Sequence, residues 1–204
     1  MAGRGQAGQG KGSLFVKMKK RHGDWIQTST DRQFWPLDPR PSEVYIFDIA
    51  AGLANTCRYG GQLKPENWMS VATHSVLVSR WLHRQGRLIS LWGLLHDAAE
   101  AYIGDATRPV KRTPEWAGYR RAEARIMAAV CDRFGLPHEE PAVVVETDRR
   151  LLLTERAALR GPPPVKWEAI YEALTPLPVA IPRWGPREGR DKFLARFSEL
   201  YTEA

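Results

Sequence analysis

Two short β-prone segments, Trp25 to Thr28 and Gln33 to Trp35, flank Ser29, Thr30 and Asp31, a pattern that predicts a hairpin. The Pro-rich stretch LDPRPS, residues 37–42, ends it. From there the apolar positions recur at helical spacing. Asp48 is placed to cap a helix through Ile49, Leu53 and Cys57 that stops at Gly60 and Gly61. Further helices are expected over Trp68 to Gln85, Leu88 to Tyr102, Pro114 to Phe134 and Pro141 to Leu159. Gly86, Gly135 and Gly161 are the stops of the first, third and fourth of these. Two more, near Trp167 to Leu174 and Arg187 to Thr202, finish the chain. No strand series could build a larger sheet, so the predicted fold class is mostly α, a helical bundle with a short N-terminal β-hairpin.

Ionisable residues interrupt three of the apolar faces. His74 stands in a stripe made by Val71, Leu77, Val78 and Trp81, whereas His83 falls on the opposite face and reads as a surface residue. The helix from Leu88 is apolar on every side and ends in His96, Asp97, Ala98, Ala99, Glu100. At about 100° per residue, His96, Asp97 and Glu100 point into one sector. Asp148 sits between Val144, Val145, Leu151 and Leu152 on a third helix. Each has a plain alternative. A lone histidine on an apolar face can be a hydrogen-bonded core residue, and an HDxxE end can simply be solvated. Together, His74, His96, Asp97 and Asp148 make a four-ligand set of two nitrogens and two oxygens. Such a set suits one divalent transition metal, Mn²⁺, Fe²⁺, Co²⁺, Ni²⁺ or Zn²⁺, with room for water or a substrate oxygen.

Composition narrows the class. The 204 residues are 43% hydrophobic and 26% charged, the range of a soluble globular protein. At this length the core needs neither a disulfide nor a structural metal. The two cysteines, Cys57 and Cys131, form no CxxC pair, and two buried thiols in a reducing cytoplasm are the expectation. No apolar run reaches membrane-span length and no signal-peptide core is visible, so the reading is a cytoplasmic protein without a membrane partner. The net charge of +7 invites nucleic acid as a partner, but Arg4, Lys11, Lys17, Lys19, Lys20 and Arg21 supply six of those charges, and residues 1–22 hold no acid. That leaves +1 for residues 23–204. The division expected is a flexible, basic, Gly-rich arm at 1–22 and a single domain at 23–204, with nucleic-acid binding resting on the arm alone. The eight tryptophans can fill one core or serve a homo-oligomer interface.

The order His74, His96-Asp97, Asp148 resembles the H…HD…D signature of the HD-domain phosphohydrolases. The string LLHDAAEAYIGDATRPVKR, residues 94–112, is similar to a segment shared by YfbR-like 5′-deoxyribonucleotidases and phage dATP triphosphohydrolases. The likeness spans roughly residues 24–160. It implies an HD-domain helical bundle, with Glu100 and Asp105 as the acid–base pair beside the metal. It also implies that Arg58 and the following aromatic, Tyr59, contact phosphate and sugar or base. The nucleotidases carry tryptophan where Tyr59 stands, and Gly60 and Gly61 follow it here.

The chemistry of the residues runs the same way. A metal on this ligand set lowers the pKa of a water and polarises a phosphoryl oxygen. Glu100, one turn from His96, is near enough to take or give a proton. Asp105 either orients that water or caps the turn before Ala106. Arg108, Lys111 and Arg112 form a cationic cluster suited to a polyphosphate, or else a solvated basic loop. The leading expectation is therefore a dNTP triphosphohydrolase of dATP type. The alternatives are a 5′-deoxynucleotidase acting on monophosphates, a phosphodiesterase of signalling nucleotides, and a non-catalytic metal and nucleotide sensor.

Overall fold

The computed structural model describes residues 21–166, 171 and 173–201. The expected arm falls outside these residues but for Arg21 and His22, and the helix expected near Trp167 to Leu174 lies largely outside them. Arg21 already belongs to the folded body: its guanidinium reaches Asp38 Oδ2 at 2.9 Å and Glu43 Oε1 at 2.5 Å and lies 4.0 Å over the Trp35 ring.

The protein is mostly helical with a two-stranded antiparallel hairpin near its start. Strands β1 (Ile26–Gln27) and β2 (Gln33–Phe34) pair with Ile26 opposite Phe34 and Gln27 opposite Gln33. Helix α1 (Ile46–Asn55) begins three residues earlier than expected, and Asp48 is not its cap. Asp48 instead accepts hydrogen bonds from Ser29 Oγ, Thr30 N and Thr30 Oγ1 at 2.8–2.9 Å, tying the hairpin turn to the helix. The chain then leaves the helix at Thr56, and Arg58 to Gly61 form a separate 3₁₀ turn.

Helix α2 (Val71–Trp81) is capped by Ser70, whose hydroxyl accepts from Thr73 N. It is the axis of the molecule, packed against α1 and three further helices: α3 (Arg87–Leu95), α7 (Ala142–Leu159) and α8 (Pro186–Leu200). Burial on all sides falls to α2 rather than to the leucine-rich α3, whose first residues Arg87 and Leu88 are exposed. Small polar residues hide this in the sequence. Thr73, Ser75 and Ser79 are buried with α2, and the hydroxyls of Ser70 and Thr73 meet at 2.9 Å.

The helix expected from Leu88 to Tyr102 is broken. After Leu95 the hydrogen bonds shorten to three-residue spacing, Ala98 N to Leu95 O and Glu100 N to Asp97 O, before α4 (Glu100–Ile103). Gly104, at φ +74°, ends α4. Helices α5 (Arg108–Lys111) and α6 (Ala117–Phe134) follow, with Gly135 in the left-handed conformation closing α6 as expected. α4 is held on two sides. Tyr102 stacks on Phe34 of β2 at 3.8 Å, and α1 approaches so closely at Gly52 that a Cβ there would sit 2.6 Å from Ala101 O. No helix of the described residues is long and apolar enough to cross a membrane.

Candidate functional site

After the break at Leu95, Asp97 of the HD dipeptide lines a cleft of about 720 Å³, and His96 lies behind it, outside the lining. His74 is fully buried at the middle of α2, and its ring lies 5.2 Å from that of His96. One ligand atom from each of His74, His96 and Asp97 can be chosen so that all lie within 4.8 Å of one another, so the three could hold a metal ion. Asp148, half-buried on α7, stands beside them with Oδ1 3.1 Å from His74 Nε2. The Nε2 atoms of His74 and His96 are both buried and make no well-aligned hydrogen bond, yet each faces a carboxylate oxygen, Asp148 Oδ1 at 3.1 Å and Asp97 Oδ2 at 3.2 Å, so that two imidazole nitrogens and two carboxylates crowd one spot. Their other nitrogens are engaged. His96 Nδ1 faces Gly93 O at 2.9 Å, and His74 Nδ1 faces Glu155 Oε1 at 2.6 Å.

Charge is concentrated here. Burial opposes the protonated form of His96, but the adjacent Asp97 wins and raises it to about 9. Burial likewise opposes a charge on His74, as does Arg58, while Glu155 and Asp148 raise its pKa on balance. Burial works against the Asp97 carboxylate, yet His96, His74 and Arg58 hold it well below the usual range. Asp148 is also lowered, burial being outweighed by His74 and His96. Glu100 goes the other way. Its burial, with Asp97 and Asp105 close by, pushes its pKa well above the ordinary value, and its Oε2 is buried without a partner.

The cleft is lined by Arg58, Tyr59, Asp97, Glu100, Asp105, Arg108, Lys111 and Asp148, so these sequence-derived candidates share one cavity; Arg112 is not part of the lining. Two of the cations are already paired. Arg58 donates from Nε and Nη2 to Glu155 Oε2 at 3.2 and 3.0 Å, and its Nη1 is 4.0 Å from Asp97 Oδ2. Burial disfavours its charge, but Glu155, Asp148 and Asp97 hold the guanidinium more firmly protonated than usual. Lys111 Nζ lies 2.5 Å from Glu123 Oε1 and 4.0 Å from Glu100 Oε1. Arg108 lies 5.0 Å over the ring of Tyr171. Tyr59 adopts φ +59°, a left-handed conformation uncommon outside glycine, which turns its ring into the cleft with the hydroxyl 3.4 Å from Glu155 Oε2.

Sequence reading missed Glu155, Arg160 and Tyr171. Arg160 lines the mouth, its guanidinium 5.0 Å over the Tyr59 ring. Glu155 carried a legible signal: seven residues after Asp148, it falls about 20° from it on the helix and so on the same face. Of the two cysteines, both free, Cys131 is buried and Cys57 only half-buried.

No protein-family model matches the chain. It is 31% identical over 182 residues, 86% of its own length and 95% of the other's, to YfdR of Escherichia coli K12. It is 40% identical over 124 residues, 59% of its length and 63% of the other's, to a protein of Rhodobacter capsulatus. Both relatives are described as uncharacterized.

Proposed function

The chain belongs to the family of Escherichia coli YfdR, and from its own residues we propose that it is a metal-dependent phosphohydrolase of HD type acting on deoxynucleotides. The observation that carries this is the meeting of two buried imidazole nitrogens, Nε2 of His74 and of His96, with the carboxylates of Asp148 and Asp97, one ligand atom each of His74, His96 and Asp97 lying within 4.8 Å of one another. A divalent cation suits two imidazole nitrogens crowded against two carboxylates, taking the place of the ring protons that those carboxylates otherwise favour, with Asp148 as fourth ligand.

A divalent ion there supplies Lewis acidity toward a phosphoryl oxygen and lowers the pKa of a water. The remaining work belongs to side chains. Glu100, whose carboxyl retains its proton more readily than an ordinary glutamate, delivers that proton from Oε2 to the leaving oxygen. Asp105 faces the same cavity and, through its charge, helps keep Glu100 protonated. Arg58, fixed by Glu155, presents its remaining edge toward the phosphoryl group, and Tyr59 offers a flat face to sugar or base. Arg108, Lys111 and Arg160 neutralise phosphates further out.

The first reading is hydrolysis of dNTPs, purines such as dATP preferred, to deoxynucleoside and triphosphate. One observation favours a second reading, a 5′-deoxynucleotidase: the pairing of Arg58 with Glu155 and of Lys111 with Glu123 reduces the positive charge left for a triphosphate. Chromatography of products after incubation with each dNTP, NTP and dNMP, with Mn²⁺ or Co²⁺, decides. Triphosphate release supports the first reading, phosphate release from monophosphates alone the second, and no turnover of any nucleotide overturns both. Arg160→Gln sharpens the choice. It raises KM for a triphosphate substrate and leaves KM for a monophosphate nearly unchanged.

A further inference from the structure

Glu155 is the one acidic side chain with no exposed surface among the buried residues described, and neither the ligand group nor the proposed proton transfer uses it. Burying a carboxylate is costly unless every lone pair is satisfied. Here the two oxygens divide the work. Oε1 lies 2.6 Å from His74 Nδ1. Oε2 accepts from Arg58 Nε and Nη2 and from the Tyr59 hydroxyl. One carboxylate thus joins the middle of α2 to the 3₁₀ turn at Arg58 to Gly61, 97 residues away from Arg58 along the chain.

We propose that Glu155 is the positioning residue of the metal site: Oε1 holds the His74 proton on Nδ1, so that Nε2 presents its lone pair to a divalent cation, while Oε2 fixes Arg58 and Tyr59 at the adjoining wall of the cleft. This rests on the reading of His74, His96 and Asp97 as a metal site. A neutral imidazole has one proton for two nitrogens, and its tautomer is set by the nitrogen with the better acceptor: Glu155 Oε1 at 2.6 Å from Nδ1 outcompetes Asp148 Oδ1 at 3.1 Å from Nε2, where no well-aligned hydrogen bond is formed. A carboxylate behind a metal-bound histidine also raises the basicity of the ring, and losing such a partner typically weakens metal binding 10- to 100-fold. The anchoring of Arg58 by the same carboxylate makes ligand orientation and the substrate-facing wall depend on one side chain. Glutamine keeps the shape but puts an amide N–H₂ where one of the two donors, His74 or Arg58, needs an acceptor.

The test measures metal binding without substrate. Full-length wild type, Glu155→Gln and Leu153→Ala are titrated with Co²⁺, reading affinity and the visible Co²⁺ spectrum. Leu153 is buried on the same helix and is not part of the cleft lining, so its truncation lowers stability without touching the site. The expected result is a 10- to 100-fold weaker Kd and an altered spectrum for Glu155→Gln, with both unchanged for Leu153→Ala. Wild-type affinity and spectrum in Glu155→Gln overturn the proposal. Should that variant not fold, ¹⁵N NMR of the wild-type histidines in Zn²⁺-loaded protein decides: a proton on Nδ1 of His74 supports it, and ligation through Nδ1 overturns it. Failure of the wild type itself to bind Co²⁺ or Zn²⁺ removes the phosphohydrolase reading and this proposal together, whereas binding that ignores Glu155 removes only this one.

Discussion

Glu100 and Asp148 are both acidic residues facing one cavity, yet their surroundings push them in opposite directions. Asp148 has His74 Nε2 3.1 Å away and is held ionised. Glu100 is buried with Asp97 and Asp105 near it and Lys111 Nζ 4.0 Å off, and its pKa is pushed well above the usual carboxylate value. The two therefore fail differently on substitution. Asp148→Ala is expected to lower bound metal well below one equivalent by elemental analysis after dialysis against a trace of Mn²⁺; full occupancy would remove Asp148 from the ligand set. Glu100→Gln is expected to keep the metal and lose about 10²- to 10⁴-fold in kcat, the range for one general acid or base. Near-wild-type turnover would assign the proton transfer elsewhere. Four ligand candidates were legible because each is an ionisable group on an apolar face. Glu155 obeys the same rule, and its partner Arg58 explains how the core tolerates it, but that partner is distant in sequence.

At the scale of elements, the site depends on a helix that breaks. The apolar run from Leu88 has no glycine or proline between Gly93 and Gly104 to announce an interruption, which is why sequence periodicity carries it through to Tyr102. The three-residue hydrogen bonds after Leu95 replace a rotation of about 100° per residue by about 120°. His96 and Glu100 are therefore no longer stacked one turn apart, and Glu100 lines the cleft while His96 does not. What holds α4 in that place is packing. Phe34 stacks on Tyr102, and Gly52 lets α1 come within backbone contact of Ala101. Gly52→Ala must push α4 away from α1, since the atoms met are the O, Cα and Cβ of Ala101, none of which can rotate aside. Its expected cost is about 1–3 kcal/mol of stability by denaturant unfolding, the usual range for overpacking. It should also lower kcat through displacement of Glu100. A variant as stable and as active as wild type would show that α4 moves freely against α1. The hairpin, the glycine cap of α6 and the extent of α7 were legible because they rest on local turn and capping chemistry. The burial of α2 was not, because serine and threonine hydroxyls satisfied by neighbours read as polar.

Over the whole molecule, the candidate ligands come from sequence positions far apart, residue 74 on α2, 96–97 after α3, and 148 on α7, brought together only by the packed bundle. An unfolded chain has no such arrangement to offer. A cation that binds here consequently binds the native state almost exclusively, and its binding free energy adds to folding stability. The native fold packs Asp97 and Asp148 against the two histidines, each Nε2 facing a carboxylate oxygen. At a free ion concentration 100 times Kd the added stability is about 2.7 kcal/mol, which for a chain of this size corresponds to a rise in Tm of roughly 5–10 °C. The expected experiment is a thermal melt followed by circular dichroism, first after EDTA and gel filtration, then with increasing Mn²⁺, Co²⁺ or Zn²⁺. Tm should climb with the logarithm of free metal and return to its starting value on adding chelator. The same series on His74→Ala should be flat, because that substitution removes the ligand at the centre of α2. A wild-type Tm that does not respond to any of these ions up to millimolar concentration would mean that the native state does not bind them through this group.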